Sequence, residues 1–189
     1  YRLYPEVTFP DFVDDVADAI AALDNVLGHH RCPDGLPVVI TGHSAGAHTA
    51  ALLATDPQYL RRSGAAVNLQ ALVGLAGPYD LPLEHPNVKG KFDRVSSDRE
   101  ANPIALASAE MPPVMLLHGT GDNAVSPKHT DQFAARLRAV GVPVTVYSYD
   151  GANHVSLVGA LATPARFLHP VHRDIASFLG RLPSEGTCR

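Results

Sequence analysis

The sequence predicts an α/β domain, a mostly parallel sheet with helices on both faces, and three features carry that prediction. Short apolar runs rich in β-branched residues recur at Val38–Ile40, Leu69–Leu75, Val114–Leu117 and Val142–Tyr149, the composition of buried parallel strands. Segments with helical periodicity stand between them. Turn-forming sequences, rich in Gly, Asp and His, follow the strands, and alternating strands and helices build a parallel sheet whose ligands bind beyond the carboxyl ends of the strands. The 189 residues suffice for one domain with a substantial core, and no repeat, low-complexity tract or linker divides them.

Taken in order, Tyr1-Arg2-Leu3-Tyr4-Pro5-Glu6 reads as the tail of a strand entering a proline turn. Phe12, Val16, Ile20, Leu23 and Leu27 form the stripe of an amphipathic helix. Asp11 is placed to cap it, Asp14 and Asp15 suit its first turn, and Gly28 suits its end. The strand at Val38–Ile40 leads into an alanine-rich helix that stops near Asp56-Pro57. The strand Leu69–Leu75 closes at Gly77-Pro78. From about 80 to 113 periodicity is lost among prolines and charges, and this lid-like segment is expected over the strand ends. The strand Val114–Leu117 runs into His118-Gly119-Thr120-Gly121-Asp122, and Ser126-Pro127 opens a helix closed by Gly141. The strand Val142–Tyr149 runs into Asp150-Gly151-Ala152-Asn153-His154, and a last helix carries Val171, Ile175, Phe178 and Leu182 behind Pro170.

The first strand and its helix are joined by Gly42-His43-Ser44-Ala45-Gly46. Between a strand and a helix, G-x-S-x-G is a nucleophile elbow, a tight turn with the serine at its tip. Gly42 and Gly46 are expected to let strand and helix approach where a Cβ would collide. Ser44 then stands at the positive end of the helix, with the Ala45 N–H aimed at a developing oxyanion. The plain alternative is an ordinary turn whose serine caps the helix.

A serine hydroxyl needs a base, and a histidine backed by a carboxylate supplies one. Ser44, Asp122 and His154 each follow a strand and so share one sheet edge. Asp80, one strand earlier, is the competing acid, and Asp150 immediately precedes the histidine turn. His118 is expected to shape the Asp122 turn. His43 and His48 flank the elbow and are expected to point away from Ser44, while His85, His129, His169 and His172 read as surface or supporting residues.

Composition excludes several classes. A formal net charge of −4 offers no electrostatic footprint for nucleic acid, and no apolar run reaches the ~18 residues of a membrane span. Cys32 and Cys188 read as free thiols, and His29, His30 and Cys32 lack the regular spacing of metal ligands. No metal or organic cofactor is called for. The compartment stays open with the cytoplasm favoured; the chain begins at Tyr1 rather than methionine, so the absence of a visible signal peptide says little.

The order Ser44, Asp122, His154 is that of the α/β-hydrolase triad, and four motifs together resemble the carboxylesterase branch of that superfamily, near hormone-sensitive-lipase-like and feruloyl-esterase-like bacterial enzymes. Tyr1–Glu6 resembles their Y-R-L-x-P-E, Gly42–His48 their elbow, His118–Asp122 with Val125-Ser126-Pro127 their acid turn, and Gly151–His154 their histidine turn. The resemblance implies a serine esterase acting on small-molecule esters through an acyl-enzyme, with Ser44 as nucleophile, His154 as base, Asp122 as its partner and the Ala45 N–H as one oxyanion donor. It also implies that these are strands five to eight of the usual eight, with the strands and glycine-rich oxyanion loop that precede Y-R-L-x-P-E lying upstream of Tyr1. The chain is therefore expected to be an N-terminally truncated piece, leaving Val38–Ile40 as an open edge. A similar elbow occurs in kynurenine-formamidase-like enzymes, which makes amide-type hydrolysis the nearest rival. A non-catalytic binding protein on the same fold is the second.

Overall fold

The computed structural model describes residues 1–27 and 35–183. The readings of Gly28, His29, His30, Cys32 and Cys188 lie outside the described residues. Strands β1 (Leu36–His43), β2 (Val67–Leu75), β3 (Val114–Gly119) and β4 (Val144–Tyr149) form one parallel sheet in the order β1-β2-β3-β4. Each lies beside its predecessor, so the carboxyl ends line up along one edge and the turns that follow them share it.

The period of two in the strands sorts their side chains between two cores. Leu72 of β2 and Val114 and Leu116 of β3 enter one core, with Ile40 of β1. Helices α1 (Asp11–Leu27), α2 (Ala45–Thr55), α3 (Gln58–Ser63) and α7 (Lys128–Ala139) cover it. Ala71, Val73, Leu75, Met115 and Leu117 enter the other, under α8 (His154–Gly159) and α9 (Val171–Leu179). Both faces of the central strands are thereby buried, which is why these strands read as continuous apolar runs rather than alternating ones.

Four local expectations are corrected. Residues 1–6 form no strand but a turn at Tyr4–Glu6: Arg2 forks onto Asp15 of α1, and the Leu3 carbonyl accepts from Glu6 and Val7 within the turn. The deepest residues of α1 are Val13 and Ala17, while Phe12, Val16 and Ile20 flank them and Leu23 is 51 % exposed. Small residues sit at the deepest positions, and the bulky ones pack to the side. Asp11 does not cap α1; the Pro10 carbonyl takes the first helical amides, and the Asp11 carboxylate pairs with Arg94 at 2.6 Å. Strand β4 begins at Val144 rather than Val142, since Val142 and Pro143 complete the turn after α7.

The segment between β2 and β3 holds three one-turn helices, α4 (Pro86–Lys89), α5 (Asp98–Ala101) and α6 (Pro103–Leu106). It is pinned down by side chains. Phe92 stacks on Phe9 at 5.5 Å and meets Phe12 edge-on at 5.7 Å, while Arg94 donates to the Thr8 hydroxyl and carbonyl. Buried His48 of α2 donates through Nε2 to the Ala101 carbonyl at 2.7 Å, an isolated donor whose burial demands that partner.

Candidate active site

The elbow is built as its sequence requires. Ser44 follows β1 with φ 57° and ψ −125°, a positive-φ backbone that a residue with a side chain rarely adopts and that marks functional turns. Its amide donates to the Leu75 carbonyl, and its carbonyl takes the first amides of α2. The Ser44 hydroxyl makes no capping bond to α2, which removes the plain reading of a helix cap. A Cβ on Gly42 would stand 2.2 Å from the Gly46 oxygen, so only glycine fits there. Gly46 is different: nothing lies within 4 Å of its would-be Cβ. The expected collision exists on the strand side of the elbow alone, because the Gly42 side faces the helix backbone while Gly46 faces open space. Ala45, exposed at the first position of α2, has an N–H with no intrahelical acceptor.

Asp122 reaches the same edge from the turn after β3. Its side chain is fully buried, and His154 Nδ1 donates to Oδ2 at 2.7 Å. The other oxygen, Oδ1, accepts from the amides of Ala124 and Val125, both at 2.9 Å. Burial pushes this carboxyl up, but the Val125 amide, the His154 ring and the Ala124 amide outweigh it, and the group ends below the ordinary carboxylate range. An ionised Asp122 can only accept, so a neutral His154 ring carries its proton on Nδ1 and has its lone pair on Nε2.

Three features hold the two turns in place. His118 shapes the acid turn as expected: Nε2 donates to the Val125 carbonyl at 3.0 Å and lies 3.3 Å from Asp122 Oδ2, while Nδ1 accepts from the Thr130 hydroxyl at 2.7 Å. Thr120 bridges the turns, donating to Asp150 Oδ1 and accepting from the Gly151 amide, which occupies Asp150. Gly119 lets the turns meet, since its Cβ would stand 2.1 Å from the Ala152 oxygen. Beyond them, Asn153 closes a capping box with Ser156 and so sets His154 as the first residue of α8. The sequence motif Asn153-x-x-Ser156 carried that signal, although serine is a less familiar partner in the box than glutamate.

Of the predicted residues, Ser44, Ala45, Asp122 and His154 all stand on the carboxyl edge of the sheet, and Asp122 and His154 are directly bonded. Asp80 is exposed and bonds to none of them; its field acts on His129. His43 makes a contact that the sequence reading did not foresee. Its ring lies 4.5 Å from that of His154, and its Nε2 donates to the His154 carbonyl at 3.0 Å. No local pattern signals this contact, because it joins the ends of two strands at opposite edges of the sheet.

Beside Ala45 opens an apolar pocket of about 370 Å³, lined among others by Tyr4, Phe12, His48, Val88 and Phe92. A larger hollow of about 540 Å³, between the end of α2 and the start of β2, lies at the opposite end of the strands and away from this chemistry. Among the described residues no group of His, Cys, Asp and Glu could hold a metal ion, and no helix is long and apolar enough to cross a membrane.

Residues 11–182 match the model of the prolyl oligopeptidase family. The chain belongs to that family. It is a family of α/β-hydrolases, as the four motifs implied. Esterase LipC of Mycobacterium tuberculosis is 32 % identical over 94 % of the chain and 51 % of its own length. Esterase LipQ of the same organism is also 32 % identical, over 95 % of the chain and 46 % of its length. The isoprenylcysteine alpha-carbonyl methylesterase ICME of Arabidopsis thaliana is 26 % identical over 83 % of the chain and 42 % of its length. The chain thus spans about half the length of the curated relatives it matches. Among solved structures, the thermophilic esterase Est2 of Thermogutta terrifontis superposes with a TM-score of 0.71 at 19 % identity, covering 99 % of this chain and 71 % of that one, a likeness of fold.

Proposed function

We propose that this chain carries the catalytic apparatus of a serine hydrolase that cleaves small-molecule carboxylic esters, with Ser44 as nucleophile, His154 as general base and Asp122 as the acid behind it. The observation that carries the reading is the 2.7 Å bond from His154 Nδ1 to Asp122 Oδ2, which fixes the tautomer needed to deprotonate an alcohol. The strained Ser44 backbone and a hydroxyl that makes no capping bond to α2 support the same reading, as do the esterase names of the relatives.

In this reaction His154 Nε2 takes the Ser44 proton as Oγ attacks the ester carbonyl. The Ala45 N–H donates to the oxyanion of the tetrahedral intermediate. Asp122 stabilises the imidazolium, which passes its proton to the departing alcohol as the C–O bond breaks. Water, deprotonated by the same nitrogen, then releases the acid from Ser44. The apolar pocket beside Ala45 favours an ester with an uncharged hydrocarbon group on one side of the scissile bond.

A fluorophosphonate probe tests the nucleophile. Covalent labelling at Ser44, abolished in Ser44→Ala with the fold intact, is the expected result. Labelling that persists in Ser44→Ala refutes the assignment. No labelling of a folded wild-type chain favours a binding protein instead. The family's name invites an amide reading, so turnover of short p-nitrophenyl esters is compared with that of N-formylkynurenine and of a peptide anilide; faster amide cleavage overturns the ester preference.

A further inference from the structure

We propose that His43 is a positioning residue that holds the base in register with the nucleophile; the inference rests on the serine-hydrolase reading above. Ser44 follows β1 and His154 follows β4, and these strands are the two edges of the four-stranded sheet. Three strand spacings amount to about 14 Å, so the histidine turn must fold back across β3 and β2 to face the elbow. Asp122 holds the ring of His154 through Nδ1, and the Asn153 capping box fixes the start of α8. Neither of these touches β1.

His43 makes that connection. It is the last residue of β1, adjacent to Ser44, and its Nε2–H donates to the His154 carbonyl at 3.0 Å while the two rings lie 4.5 Å apart and 45° from parallel. A carbonyl only accepts, so this bond places a proton on Nε2, and in the neutral ring Nδ1 is then the bare nitrogen. The strand that carries the nucleophile therefore grips the base by its backbone, and the distance between the reacting atoms is set by one residue on each side. Reactions of this kind lose about 10²-fold in rate for a misplacement near 1 Å.

The ring contact sets a second requirement. At 4.5 Å from a ring that becomes cationic during turnover, His43 has to stay neutral. Burial holds its pKa below the ordinary value, and the neighbouring His154 acts in the same direction. The bond to the His154 carbonyl, the Asp122 carboxylate and the buried His118 are the other groups that bear on it, the first two opposing and the third assisting. A neutral imidazole lies against the imidazolium without a competing charge.

Three variants separate the bond from the ring. His43→Gln keeps an N–H donor of similar reach and loses the ring, His43→Phe keeps a ring and loses the donor, and His43→Ala loses both. On a short p-nitrophenyl ester, His43→Ala and His43→Phe are expected to lower kcat by roughly 10- to 100-fold with KM within about two-fold of wild type, and His43→Gln to recover most of the loss. The low-field proton resonance of the Asp122–His154 bond should broaden in His43→Ala and His43→Phe and stay sharp in His43→Gln. Wild-type kcat and an unchanged resonance in His43→Phe, or a His43→Gln enzyme no better than His43→Ala, would overturn the proposal. Should His43→Ala not fold, the Phe and Gln pair decides. Ser44→Ala, measured alongside, keeps the two readings apart: an inactive Ser44→Ala with a fully active His43→Phe removes only the role of His43, whereas an active Ser44→Ala removes both.

Discussion

Burying His48 should make this fold selectively labile in mild acid. His48 is 3 % exposed, beneath the edge of Phe92, with Nε2 donating to the Ala101 carbonyl. Burial pushes its pKa down from an ordinary 6.5 to about 4, the Ala101 carbonyl opposing and His129 assisting. The folded-state pKa lies below the unfolded one, so between the two values the unfolded chain binds more proton than the folded chain. Stability is therefore complete above the ordinary value, falls as pH drops through it, and stops falling below the folded-state value. Linkage across that gap amounts to about 2 kcal/mol between pH 7 and 5, and about 3 kcal/mol by pH 4. His43, His118 and His129 are also held low by burial and add to the same trend, so the informative quantity is the difference between wild type and a variant. His48→Gln keeps the donor to Ala101 and cannot titrate. Urea unfolding at pH 7 and pH 5 measures both proteins, and the variant should lose about 2 kcal/mol less than wild type over that interval. Loss of the Phe92 contact lowers the variant at both pH values alike and leaves the difference readable. Equal losses in the two proteins would refute the argument.

Other consequences concern the site. Asp122→Asn should lower kcat on the order of 10⁴-fold, by the loss of the tautomer-fixing acceptor, whereas Asp80→Asn, at an exposed position, should stay within about two-fold; the reverse ranking in a p-nitrophenyl ester assay would move the acid to Asp80. Gly42→Ala places a methyl against backbone at 2.2 Å and should cost about 3 kcal/mol or more in urea unfolding. Gly46→Ala, with open space on its Cβ side, should be neutral or stabilise α2 by up to about 1 kcal/mol, and an equal loss in both variants would show that the elbow is not packed as described.

The parallel α/β plan, the four strands, the longer helices and the three motif residues were legible because each rests on local chemistry. Strand character follows from runs such as Val114–Leu117, helix ends from Asp56-Pro57 and Ser126-Pro127, and the turn at Ser44 from a glycine that only that geometry requires. Each strand end then places one motif on the same edge, so the company of Ser44, Asp122 and His154 follows from topology without any distance. What lies across the sheet was not legible. Sequence adjacency gave His43 no route to His154, yet strand order and the fold of the histidine turn bring their rings together. The same holds for α1, whose 3.6-residue pattern marks an apolar side but not which of its residues, Val13 and Ala17, lie deepest. It holds for Gly46 too, which matches Gly42 in the motif and differs from it in what stands opposite. Periodicity and motif spacing report the direction a side chain takes from its own backbone. Which atoms it meets depends on the other elements, and those are positioned by the summed packing of two cores rather than by any one segment.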